Sequence, residues 1–200
     1  MKAAKIISII GHPIFHPTWM MIIMLLTGIT RFTPGNDTTF LTITFSMTFA
    51  IPALIILMMK KWHIIDSIEM DKRDDRLAPL FIMVLFLYLT LKFFNKIQLF
   101  SIFSFYLTTA IVVTILAFVI TFFWKISLHA LGWGCFTACL FIMTTASMQT
   151  YLPCFIASIL ISGIVAAARL KLESHSNAQI YSGFAMGFAT VIVIFFISLF

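Results

Sequence analysis

Three groups of polar and ionisable residues interrupt an otherwise apolar chain, and their side chains are of the kinds that bind or transfer an anion. The first is Asp71-Lys72-Arg73-Asp74-Asp75-Arg76, followed closely by Pro79, with Arg73 and Arg76 spaced to share one helical face. The second is Lys125-Ile126-Ser127-Leu128-His129, and the third is Arg169, His175 and Gln179, followed by Gly183 and Gly187. Guanidinium forks, ammonium groups and a hydroxyl suit the oxygens of a phosphate. Two imidazoles beside them allow a division of labour: one attacks phosphorus while the other gives a proton to the departing alkoxide. Each group also has a plainer reading when taken singly. The first is then a solvated loop whose opposite charges pair, Lys125 a snorkelling anchor, His129 a hydrogen-bonded interfacial histidine, and Gly183 with Gly187 a face for close helix packing.

The elements that must position these residues follow from composition. Of 200 residues, 62% are apolar and 10% are charged, with 23 Phe and 12 Met. Mean hydropathy is +1.09. A chain this short cannot cover so much apolar surface in water, so its solvent is the bilayer and a water-soluble enzyme is excluded. The net charge of +6 fits loops beside anionic headgroups rather than nucleic-acid binding. Turn residues and charges divide the chain into seven expected spans, near 14–30, 39–60, 78–94, 97–124, 129–149, 152–170 and 178–200. The predicted fold is an all-α polytopic transmembrane bundle of about six or seven spans, one integral-membrane domain over 1–200. Short breaks at Asn95-Lys96 and near Gln149 predict two helical hairpins, spans three with four and five with six. Each span moves the chain across the membrane, so parity brings all three groups to the face that holds the N-terminal arm. That face carries ten Lys and Arg against three on the other, which a positive-inside reading assigns to the cytoplasm. Setting aside the candidate phosphate ligands leaves five against three, so the side of the site stays open. The expected location is a bacterial inner membrane.

On these residues the chain resembles the type 2 phosphatidic acid phosphatase superfamily, whose pattern is K-x6-R-P, then P-S-G-H, then S-R-x5-H-x3-D. Arg169, His175 and Gln179 match the Arg, His and final positions of the third motif in spacing, and Ser127 and His129 match the Ser and His of the second. Arg76 with Pro79, supported by Lys72 or Arg73, resembles a loosened first motif, and the likeness runs from about 60 to 190. It implies a phosphatase acting on a lipid phosphate or polyprenyl diphosphate, with no metal or other cofactor. His175 would form the phosphohistidine and His129 would serve as general acid and later base. Lys72, Arg73, Arg76, Lys125, Ser127 and Arg169 would surround the phosphate. The chain departs from the pattern at Gln179, where the family has Asp, and at Ile126 and Leu128, where it has Pro and Gly. A member that binds phosphorylated lipid without hydrolysing it is therefore the alternative.

Two other classes compete. Asp66, Glu69, Asp71, Asp74 and Asp75 form an acid-rich segment like the magnesium-diphosphate motif of intramembrane prenyltransferases, but the second acidic motif is missing. A transporter would set polar residues at mid-membrane, whereas here they crowd one surface, and Pro52 is read as a kink. Cys135, Cys139 and Cys154 lie in apolar runs and are expected to pack as small hydrophobes. The expected partners are phosphorylated lipid and membrane lipid, with the oligomeric state open.

Overall fold

Helices account for nearly all of a computed structural model of the chain, which describes residues 1–28, 36–68, 70, 72–96 and 101–199. Among these residues there is no strand. Seven stretches are long and apolar enough to cross a membrane: Lys2–Leu26, Asp37–Lys61, Asp74–Lys96, Ile102–Thr121, Leu128–Ala146, Met148–Lys171 and Asn177–Ser198. The all-α polytopic fold is thus as expected. The expected break at Thr33-Pro34-Gly35 and residues 97–100 lie outside the described residues.

The first stretch differs from its prediction. In place of an N-terminal arm, Lys2–Ile10 forms a helix, α1, which ends before the 3-10 turn Pro13–Phe15 and the helix α2, His16–Leu26. Ala4 and Ser8, one turn apart, are buried while Ile6, Ile9 and Ile10 are exposed, so α1 has a small-residue face turned inward. Pro13 disfavours helical backbone at His12, which ends α1 there.

The chain gathers into two units, Met1–Pro13 with Lys125–Phe200, and Ile14–Trp124. In the first, α1 is joined by α7 (Leu128–Ala146), α8 (Met148–Lys171) and α9 (Asn177–Ser198). Helix α7 is its core: 67% of its apolar window is buried, against 22% in α8 and in α9. It packs on α8, as the expected hairpin requires, and on α9. A Cβ on Gly183 would meet Ser127 and Ala130, while one on Gly187 would meet Leu131 and Cys135, so contacts ascend both helices together and the pair is parallel. The approach is backbone to backbone. A Cβ on Gly187 would stand 2.1 Å from the Leu131 carbonyl oxygen, and one on Gly134 would stand 2.2 Å from that of Phe184. The small-residue face expected at Gly183 and Gly187 is therefore a packing face.

The second unit holds α2, α3 (Asp37–Phe45), α4 (Ile51–Lys61), α5 (Leu77–Lys96) and α6 (Ser101–Thr121). Helices α5 and α6 pack together as the other expected hairpin. Between α3 and α4 the helix widens to a π-turn over Ser46–Ala50. Pro52 has no N–H for the Thr48 carbonyl, and its ring crowds that carbonyl, so the preceding turn opens. The Thr48 hydroxyl donates back to the Thr44 carbonyl at 2.8 Å. The distortion read as a kink at Pro52 thus takes the form of a wide turn just before it. Ile56, Met59 and Ile65 bury one another, with Met70, Ala78 and Ile82 against them, and so tie the segment after α4 to the start of α5.

Candidate functional site

Helix α7 begins with a cap that the sequence encodes directly. Ser127 has extended backbone, and its hydroxyl oxygen accepts from the Ala130 N–H, satisfying one donor of the first turn. His129 follows inside that turn, one helical turn before Trp133, so the two side chains share a face. Both reach the end of α1, whose last carbonyls have no partner within their own helix. The Trp133 Nε1–H donates to the Gly11 carbonyl at 3.0 Å, and His129 Nε2 lies 3.0 Å from the Ser8 carbonyl oxygen. A carbonyl only accepts, so Nε2 of His129 carries a proton.

Arg169, near the end of α8, donates from Nη1 to the Ser8 hydroxyl at 2.9 Å. That hydroxyl is 3.4 Å from His129 Nε2, and the His12 ring meets the His129 ring edge-on with centroids 4.8 Å apart. Ser8 and His129 are buried, Arg169 is half-buried, and His12 lies exposed at the edge of the cluster. One serine of α1 thus touches both the guanidinium from α8 and the imidazole from α7.

His175 precedes α9, which begins at Asn177 rather than at the histidine. Ser176 and Gln179 form a capping box: the serine hydroxyl accepts from the Gln179 N–H, and Gln179 Oε1 accepts from the Ser176 N–H at 3.1 Å. The same Oε1 is 3.0 Å from His175 Nδ1. Because a backbone N–H can only donate, the amide atom facing it must be the oxygen, and the ring nitrogen facing that oxygen must carry the hydrogen. In the neutral ring the lone pair of His175 is therefore on Nε2. The Ser127 N–H also donates to the Gln179 carbonyl at 3.2 Å, binding the start of α9 to the start of α7.

The cations of the first sequence group belong to the other unit. Lys72 is paired with Asp66, and both side chains are exposed. The hydrogen bond and the charge of Lys72 hold the Asp66 carboxyl below the usual carboxylate range, and Asp66 raises Lys72 in turn. Arg73 lies 3.7 Å from Asp74, also at the surface. Arg76 differs, being buried in the 3-10 turn Asp74–Arg76 just before α5, with its Nε donating to the Met70 carbonyl at 3.0 Å. Glu69 and Asp71 are outside the described residues, and among the described residues no three His, Cys, Asp or Glu gather as a metal set.

Within the first unit, then, the structure unites Arg169 with His129, and His175 with Gln179 and Ser127. Lys125 lies half-buried in the extended segment just before α7. Ser8 and His12 belong to no motif, and the sequence reading does not single them out. The signal they carry is the helical spacing Ala4, Ser8, His12. The chain matches no protein-family model, no curated protein and no solved structure.

Proposed function

We propose that the protein is an integral-membrane phosphatase that hydrolyses a lipid phosphate or polyprenyl diphosphate through a phosphohistidine. The observation that carries this reading is the tautomer of His175: Gln179 holds Nδ1–H and so gives Nε2 the lone pair an attack on phosphorus needs. Its companions are of the right kinds. Arg169 supplies a guanidinium for the equatorial oxygens, with Ser127 and Lys125 at the start of the neighbouring helix. His175 Nε2 bonds to phosphorus as the lipid alkoxide leaves and takes a proton from His129. Water, giving its proton to the same ring, then breaks the P–N bond and frees phosphate. Since His129 Nε2–H is committed to the Ser8 carbonyl, the proton moves at Nδ1. Lys72, Arg73 and Arg76 belong to the other unit and enter the reading through the resemblance alone.

A second reading has its own observation. Gln179 is neutral where the family carries a carboxylate, so it orients His175 without stabilising a positive ring, as suits a protein that binds phosphorylated lipid and leaves it intact. Phosphate release from a panel of lipid phosphates by the purified protein in excess EDTA separates the two. Release that is lost in His175→Ala and Arg169→Ala supports the hydrolase. Undiminished turnover in His175→Ala ends the phosphohistidine scheme, and strict dependence on magnesium would favour the acid-rich segment instead.

A further inference from the structure

Ser8 stands between two of the groups that the phosphatase reading needs. Its hydroxyl accepts from Arg169 Nη1 at 2.9 Å, its carbonyl oxygen is 3.0 Å from His129 Nε2, and its side chain is buried. Arg169 and His129 arise on different helices and are forty residues apart in sequence, yet one residue of a third helix contacts both. The contact is built at both ends. Helix α1 packs on α8, a Cβ on Gly11 would stand 2.4 Å from the Val165 side chain, and Trp133 holds the Gly11 carbonyl. From this geometry we infer that Ser8 is a positioning residue of the phosphate site, and that α1 belongs to the site rather than to a peripheral arm.

The inference rests on the phosphate reading, and its chemistry is specific. A serine hydroxyl that accepts from Arg169 fixes the plane of the guanidinium, and with it the direction of the remaining donors toward a phosphate. Removing it leaves the charge but loosens its orientation, so affinity falls before chemistry does. The test uses the full chain in detergent and two probes: inorganic phosphate, read as a shift of the thermal midpoint, and phosphatidic acid, read as KM and kcat. Ser8→Ala is expected to need about tenfold more phosphate for the same midpoint shift, and to raise KM similarly with kcat within about threefold, because hydrogen bonds to charged groups are of that size. Ser8→Thr, which keeps the hydroxyl, is expected to restore both. If phosphate shifts the wild-type midpoint and Ser8→Ala responds to the same concentrations with unchanged KM, the positioning role is overturned, whatever either variant does to the midpoint without phosphate. If the wild type itself neither responds to phosphate nor releases it, the phosphatase reading falls and Ser8 with it.

Discussion

The exposed loop of the second unit and the candidate site of the first handle positive charge in opposite ways. In the second unit the loop cations sit beside carboxylates: Lys72 on Asp66, and Arg73 near Asp74, all at the surface. In the first unit five cations, Lys2, Lys5, Lys125, Arg169 and Lys171, share one acid, Glu173, which is exposed. There the neutral Ser8 and Gln179 hold Arg169, His129 and His175. A carboxylate partner fixes and neutralises at once, whereas a hydroxyl, a carbonyl or an amide fixes only. Groups held by neutral dipoles are aimed without being neutralised, which is what the proposed phosphatase reading asks of a phosphate site and a solvated loop does not offer.

The comparison can be broken most decisively at His175. His175→Ala should abolish lipid-phosphate hydrolysis by at least about three orders of magnitude, as loss of a nucleophile does elsewhere, measured as phosphate release at saturating substrate. Next is the packing that supports the site. Gly187→Val drives a side chain into the Leu131 carbonyl, which no rotamer relieves, and should cost about 3 kcal/mol or more, seen as a lowered thermal midpoint. Gly163→Ala on α8, where a Cβ meets nothing within 4 Å, serves as the control and should be neutral or slightly stabilising. Gln179→Glu sharpens the contrast between neutral and charged partners. A carboxylate in the same place retains the acceptor and adds charge, and should raise turnover about tenfold, since charge-assisted hydrogen bonds are roughly twice as strong as neutral ones. A fall in turnover would count against His175 becoming positive during the reaction. The smallest effect is expected at Lys72→Ala, which should leave turnover and thermal midpoint at neutral pH as they are. Asp66 is lowered and Lys72 raised. The pair therefore persists through the neutral range, dissolving only as pH falls through the folded carboxyl value or rises through the folded ammonium value.

Much of this architecture is legible in the sequence, because charges and turn residues cannot be hidden in hydrocarbon. The six spans after the first, both hairpins and the glycine face of α9 are readable along the chain. What the sequence conceals is long-range. Ser8 looks ordinary on a nine-residue helix with lysines in it, as does His12 just beyond its end, and their importance arises only when α7 and α8 arrive beside them. The π-turn at Ser46–Ala50 is concealed for another reason: a proline announces a lost hydrogen bond but not how the backbone redistributes it. Lys72, Arg73 and Arg76 look alike along the chain, yet burial separates the third from the first two.

The bond between Ser8 and His129 spans 121 positions. Helix α1 is translated well before α7, and the carbonyls of Ser8 and Gly11 must stay hydrated, or borrow temporary partners, until residues 125–133 have emerged. Only then can the imidazole and the indole seal that end, so a segment translated early is secured late, and assembly of this unit must wait for the intervening spans to be synthesised.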